Sequence, residues 1–457
     1  MTTELLITVA TALIGVLAAG SAASDARQPD DDNAPPPAIR AWMDRLTVKH
    51  AYDPETGFIV AKEVITLPPL LAEGPSLNEA IDAAAADGKV VVAFATADRC
   101  APCQQYKKSA LNDPRVVDAL GRKHLLATHV EVDRETALAQ ARLGSLAIPM
   151  TYALFGGEPI AVLRGQRSPD ELLAWLDALP TNPESARLLR DTNAWHHTRL
   201  ERLRAEDGWL SLVGLAWLRE GPNRVGRDPD CEITHTGFPA DHLATLHLEN
   251  GAVRIEPAPG LPDGVTLHGL PADGAMRADT EGDPTVVRIG GVRFHIIERG
   301  GKLAVRIKDA DAPTRTGFKG IERYPVSAEW RIIAAFEPAE PGRTLAMDTV
   351  IGVEEQSAIA GWARFEHAGH RVRAALFPAS GNGFYLRFGD TSNGTGTYPI
   401  GRYLSVPAPG DDGTVVLDFN RAYNPPCAFT PYATCTLPPD SNDFPFSIEA
   451  GERWSAE

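Results

Sequence analysis

From about Ala38 to Leu179 the apolar positions alternate between two textures, a helical period and short unbroken runs. Leu77 to Ala86 is Ala-rich with spaced apolar residues and predicts a helix, and Lys89 to Phe94 is a continuous apolar run of buried-strand length. Pro102 to Leu111 predicts a second helix, Leu125 to Val132 and Met150 to Phe155 predict strands, and Asp170 to Leu179 predicts a closing amphipathic helix. Helices and strands taking turns in this way predict an α/β layer sandwich over residues 38–180. Pro180-Thr181-Asn182-Pro183 breaks the pattern and marks a linker over 181–192. One more helical segment runs through Arg204, and then the texture changes. Ala252 to Ile255, Val286 to Ile289, Val292 to Ile297, Leu303 to Ile307, Trp330 to Phe336, Gly361 to Phe365, Phe384 to Phe388 and Thr414 to Phe419 are short apolar strands between Gly, Pro and Asp turns. They predict a mostly β sandwich or barrel over 193–455, so the fold class is multidomain, α/β followed by β. No internal repeat of fixed period is present.

The N-terminus bears on compartment. Leu5 to Ala19 is an apolar run of signal-peptide length, followed by the small residues Gly20 to Ser24, which predicts a signal peptide over 1–24 and a periplasmic or secreted protein. Met1-Thr2-Thr3-Glu4 lacks the usual basic start, so an N-terminal membrane anchor is the alternative, although the run falls short of the roughly 20 residues of a spanning helix. Residues 25–37 are rich in Asp and Pro and read as a flexible tether.

Charge and cysteine count narrow the chemistry. Sixty acidic groups against 44 basic ones give a net charge of −16, which argues against nucleic acid or an anionic membrane as a partner; beyond Leu5 to Ala19 no segment is apolar enough to span a membrane, so no stable membrane insertion is expected. The five cysteines are too few for a disulfide scaffold; Cys100/Cys103 and Cys427/Cys435 fall into close pairs and Cys231 is left over.

Cys100-Ala101-Pro102-Cys103 follows a predicted strand and begins a predicted helix. A thiol at a helix N-terminus has its thiolate stabilised by free backbone N–H groups, which makes Cys100 a candidate nucleophile and Cys103, one turn on, a candidate resolving thiol. A structural disulfide or half of a zinc site would use the same spacing. Together with the strand Val90 to Phe94, Asn112-Asp113-Pro114-Arg115-Val116, the strand ending Glu131-Val132-Asp133, and Ile148-Pro149, this motif resembles the thioredoxin superfamily, particularly its exported members, from about Ser76 to Leu179. The resemblance implies a cis Pro149 whose neighbourhood, with Ile148, guides an extended client segment. It also implies protein thiols or disulfides as partners and no cofactor. Ala93 stands where many members hold a buried acid, and Arg99 stands where a tryptophan is usual. A cation beside Cys100 should favour its thiolate, and loss of the acid should slow deprotonation of Cys103.

In the β region, Leu417 to Cys435 is dense in proline, aromatic residues and cysteine. With Tyr398 to Leu404 and Gly208 to Leu215 it is similar to the bacterial family called domain of unknown function 1684, from about Asn193 to Glu452, which brings no established activity. Cys427 and Cys435 are candidates for a structural disulfide, with metal ligation, a reactive pair, or exchange with the first domain as alternatives. Cys231, His235, His242 and His247 match no closed zinc spacing and read as loop residues, so no metal is expected. Asp390, Arg402, Asp418, Asn420 and Arg421 lie beside predicted strand ends, where they would form a ligand site or cap turns. No nucleophile elbow, phosphate loop or dinucleotide fingerprint occurs. The reading is an exported thiol–disulfide oxidoreductase whose β-rich domain recognises a client or ligand. The alternative is a ligand-binding or hydrolytic β domain whose cysteine pair the first domain maintains.

Overall fold

The computed structural model describes residues 34–379 and 381–455, so the signal-peptide segment and most of the tether lie outside the described residues. The chain begins with helix α1 (Pro37–Met43), a hairpin of β1 (His50–Asp53) and β2 (Phe58–Ala61), and the short helix α2 (Pro69–Ala72). There follow α3 (Leu77–Asp87), β3 (Val90–Thr96), α4 (Ala101–Tyr106), α5 (Pro114–Leu120), β4 (Leu125–Glu131), α6 (Thr136–Leu143), β5 (Met150–Phe155), β6 (Glu158–Arg164) and α7 (Pro169–Asp177). The sheet order is β4-β3-β5-β6, with β3 parallel to β4 and antiparallel to β5.

The period of two along β3 organises this domain. All seven residues of the strand are buried; Val90, Val92 and Phe94 face a core with Tyr106, Leu111, Leu120, Leu172 and Leu176. Val91, Ala93 and Ala95 face the opposite core with Leu77, Ile81, Val130 and Leu154. A strand apolar on both faces must be covered by helices on both, which is the layer sandwich expected from the sequence. Local polar residues set the helix starts: the Ser76 backbone N–H donates to Glu79 at 2.9 Å, and the Ser168 N–H to Glu171 at 2.8 Å. Gly88 ends α3 at φ +65°, where a Cβ would come within 2.7 Å of Pro183.

Pro183 begins α8 (Pro183–Arg204), a helix of 22 residues, so most of the linker expected at 181–192 is helical. Its first half touches the α/β domain, Asn193 donating to the Ile160 carbonyl at 2.8 Å. Its second half joins the β region through Arg199, which pairs with buried Glu452 at 3.1 Å and donates to the Asn424 carbonyl at 2.9 Å.

The β region has two cores. In the first, β7 (Leu212–Trp217), β8 (Gly221–Gly226), β9 (Ile233–Thr234), β10 (Ala244–Glu249), β11 (Ala252–Pro257), β12 (Ala275–Met276), β13 (Val286–Ile289), β14 (Val292–Arg299) and β15 (Lys302–Asp309) form two sheets, β12-β11-β10-β8-β9 and β13-β14-β15-β7. They close over Phe238, Leu246, Phe294 and Ile296. In the second, β16 (Arg331–Pro338), β19 (Gly361–His367), β20 (His370–Pro378), β21 (Phe384–Asp390), β22 (Arg402–Val406) and β23 (Thr414–Asp418) form a nearly closed barrel-like sheet, β22-β21-β20-β19-β16-β23. Phe388, Phe419, Phe444 and Leu404 fill it. The hairpin of β17 (Thr344–Asp348) and β18 (Glu354–Ala358) forms a two-stranded sheet of its own that packs on β20 through Met347, Ala375 and Phe377, and β24 (Asp443–Phe444) adds to β21.

Candidate functional site

Cys100 caps α4, and its Sγ accepts the Cys103 backbone N–H at 3.2 Å. The two cysteines form a disulfide, with Cα atoms 5.2 Å apart. Cys100 keeps 9% of its surface and Cys103 none, so the little exposure the pair retains belongs to Cys100. Ile148 and Ala97 pack against the pair, and the Ile148–Pro149 bond is cis. The Pro149 carbonyl accepts the Gly165 N–H at 2.9 Å, which ties this loop to the end of β6.

The N-terminal segment, which no sequence pattern assigned to the site, lies along the motif. Ala61 donates its N–H to the Arg99 carbonyl at 2.8 Å, and Val60 bridges to Cys100. Gln104 and Gln105 hold this segment down: their side-chain oxygens accept the N–H of Ile65 at 2.6 Å and of Thr47 at 2.7 Å.

Behind the pair lies a charged cluster that the sequence pattern also did not single out. Lys107, one helical turn beyond Cys103, is buried and pairs with Asp98 at 3.1 Å; its Nζ is 3.9 Å from Glu131. The Asp98 backbone N–H donates to Glu131 at 2.9 Å. Burial raises the pKa of Glu131 above the usual carboxylate range, and burial with the Lys107 charge pushes that of His129 down to about 4. Ala93 is buried in the sheet as an aliphatic residue, so the buried acid of this domain comes from β4. The expectation that Arg99 offers its charge to Cys100 needs correction: Arg99 makes a two-pronged pair with Asp133 at 2.8 and 3.0 Å, which spends its positive charge there.

The second pair lies in the Pro-rich loop after β23. The expected bridge is not formed: Cys427 and Cys435 are free thiols, with the Cys427 backbone N–H donating to Cys435 Sγ at 3.3 Å. Cys427 is half-buried and Cys435 buried. Tyr398 donates to the Cys427 carbonyl at 2.8 Å and Tyr403 to that of Thr436 at 2.9 Å. From the first β core, buried Arg306 donates to Thr434 at 3.3 Å, and its Nε has no partner. Hydrogen bonds from the Cys427 thiol and N–H, with the Arg306 charge, lower the Cys435 pKa; the hydrogen bond to Cys435 and burial raise that of Cys427.

The residues grouped as a possible ligand site are not brought together for one. Arg402 and Asp390 form a fully buried ion pair at 2.9 Å, and Arg402 also donates to the carbonyls of Ile448, at 2.7 Å, and Ala450. Asp390 further accepts the Ser392 N–H at 2.8 Å. Asn420 is buried against Ser327, whose N–H it accepts at 2.9 Å, and Arg421 pairs with Asp418 at 3.5 Å. The polar atoms of Asp390, Arg402 and Asn420 are turned into the protein, where these side chains act as internal pins, and Arg421 is partly exposed. Cys231 donates to the Asp241 carbonyl, His242 bonds Thr245 and His247 bonds Glu256, each a local contact. His235 accepts the Gly237 N–H in its own loop.

Residues 77–180 match the family model described as a thioredoxin-like domain, and residues 316–453 match that described as a protein of unknown function, DUF1684. The second match is narrower than the similarity seen from Asn193 onward and leaves the first β core outside it. No curated relative matches the chain. Among solved structures, an uncharacterized protein of Haloarcula marismortui is 25% identical over 31% of this chain and 79% of its own, with a TM-score of 0.27. A thioredoxin from Thermus thermophilus is 29% identical over 22% of this chain and 82% of its own, at 0.20. A disulphide isomerase from Xylella fastidiosa Temecula1 is 19% identical over 22% and 86%, at 0.20. No described helix is long and apolar enough to cross a membrane.

Proposed function

We propose that the chain is an exported thiol–disulfide oxidoreductase that works through Cys100 and Cys103 on protein thiols or disulfides. The observation that carries the proposal is the bonded pair at the start of α4, whose residual exposure lies on Cys100, within a thioredoxin-like domain. In the oxidising direction a client thiolate attacks Cys100 Sγ, the Cys100–Cys103 bond breaks, and Cys103 leaves as a thiolate that takes up a proton. A second client thiolate then attacks the client sulfur of the mixed disulfide and releases Cys100. The reducing direction is the reverse, and partner potentials choose between them. Ile148 and Pro149 form the wall beside the pair against which an extended client segment would lie. Export is supported by the apolar run Leu5 to Ala19 and is checked by cell fractionation. The β domains supply the surface that chooses the client.

The test is reduction of insulin by the purified full chain with dithiol as electron source. Cys100→Ser drops the rate to the uncatalysed background, whereas Cys103→Ser accumulates a mixed disulfide through Cys100. A Cys100→Ser protein as fast as the parent would sink the proposal.

A further inference from the structure

We infer that Cys427 and Cys435 are a second redox pair, in which half-buried Cys427 meets a partner disulfide and buried Cys435 accepts its proton and then resolves the mixed disulfide. Three features carry this. The sulfurs are adjacent without being bonded, the Cys427 N–H pointing at Cys435 Sγ. The loop is held by unrelated parts of the fold: Thr430 donates to the Leu212 carbonyl at 2.9 Å, Val350 donates to the Cys435 carbonyl at 2.9 Å, and Tyr398 and Tyr403 bind the carbonyls of Cys427 and Thr436. Finally, Arg306 and Arg299 both donate to the Thr434 hydroxyl, at 3.3 and 3.2 Å; Asp279 pairs with Arg299 at 2.8 Å, whereas Arg306 lies over the Trp209 ring with its Nε unpartnered. Two guanidiniums held at one hydroxyl against the single Asp279 carboxylate leave a positive charge that a Cys435 thiolate beside Thr434 would balance.

The co-reactant is a disulfide, and the chain carries one in Cys100–Cys103. Cys427 attacks Cys100 Sγ while its thiol proton passes to the Cys435 thiolate. The Cys100–Cys103 bond breaks, a Cys427–Cys100 bond forms, and Cys103 leaves as a thiolate. Cys435 then gives up its proton to solvent and attacks Cys427 Sγ, forming the Cys427–Cys435 bond and releasing the Cys100 thiolate. Two electrons have moved from the second pair to the first. This deepens the exchange activity proposed above by naming a client class, a tyrosine-caged dithiol in the same chain or in a second copy of it, and in that respect it rests on that activity.

The decisive measurement does not use the first pair. A full-length variant with Cys100→Ser, Cys103→Ser and Cys231→Ser is equilibrated with graded mixtures of reduced and oxidised glutathione, quenched in acid, alkylated with N-ethylmaleimide and weighed intact. The expected result is a single transition in which both labels disappear together. Two labels retained at every ratio, or a stable glutathione adduct that is never resolved, overturns the inference whether or not insulin is reduced. In the same background, Arg306→Gln slows alkylation of Cys435 at neutral pH by about tenfold while Arg299→Gln changes it by less than about twofold. If Arg306→Gln fails to fold, Thr434→Val, which removes the hydroxyl shared by the Arg306 and Arg299 guanidiniums, is read instead, with Arg299→Gln as the control for the Arg299 share. Equal rates in all of these proteins overturn the role of Arg306. In the Cys103→Ser protein whose second pair has first been oxidised with glutathione disulfide, the Cys100 thiolate attacks Cys427 Sγ and Cys435 leaves as a thiolate, so peptide mapping finds Cys100 joined to Cys427; a link to Cys435 reverses the assigned order.

Discussion

Cys100 and Cys103 stand three residues apart at the start of a helix and are bonded; Cys427 and Cys435 stand eight apart in a loop and are free. The first pair is made by four consecutive residues, because the helix alone sets the spacing and supplies the N–H that reaches Cys100 Sγ. The second is assembled from a distance: Arg306 comes from β15, Tyr398 from the turn before β22, Tyr403 from β22 itself, and Thr434 from the loop. A locally made pair survives small errors elsewhere in the fold. An assembled pair fails whenever its scaffold shifts, and this separates the two experimentally.

The largest expected effect tests that dependence. Asp390→Asn leaves the Arg402 charge buried without its partner and should destabilise the barrel by about 3–5 kcal/mol. In urea unfolding, the tryptophan signal of the β region should move to much lower denaturant while insulin reduction at low denaturant is kept. Loss of both together would mean that the two pairs share one scaffold. The second effect is on pH. His129 in the α/β domain and His295 in the first β core both have pKa values pressed down to about 4, by burial first and then by Lys107 and Arg306 respectively. Each folded value lies below the unfolded one, so the contribution to stability is present above about pH 6.5 and is lost as pH falls through 4, by at most about 3 kcal/mol per residue. Melting temperature measured from pH 7 to pH 4 should fall, and His129→Asn should flatten the fall for the α/β domain alone. The smallest effect concerns Arg99. Because Asp133 holds its charge, Arg99→Ala should change the exchange rate by no more than about threefold, and a tenfold loss would show that the guanidinium does serve Cys100.

The same contrast explains what could be read from the chain. The core strands, the helix starts and the Cys100–Cys103 motif each depend on residues within one or two turns of one another, and the periods of Val90 to Phe94 and Met150 to Phe155 carried them directly. Lys107 and Glu131 went unnoticed as a pair, because the contact forms only when β4 lies in register beside β3, setting Thr96 opposite Glu131. The i, i+4 spacing of Cys103 and Lys107 was the one available hint. Arg402 and Asp390 looked like ligand residues because polar side chains at strand ends normally face water. Here the barrel closes over them, and the carbonyls of Ile448 and Ala450 take up the guanidinium. The division of the β region into two cores was also hidden, since both halves show the same short strands and turns.

The helix α8 has a consequence for anyone wishing to work with half of this molecule. It is claimed by different owners along its length: the Asn193 side chain donates through Nδ2 to Ile160 and accepts at Oδ1 from Arg323, and Arg199 pairs with Glu452. A truncation at the apparent joint near Pro180 would carry the helix away with the β half and strip the sheet edge at β6 of its cover, while one after Arg204 would leave the buried Glu452 carboxylate with the Asn424 N–H but without the Arg199 charge. Neither cut yields two intact pieces, so gene fragments should overlap across 183–204 and duplicate the helix in both products.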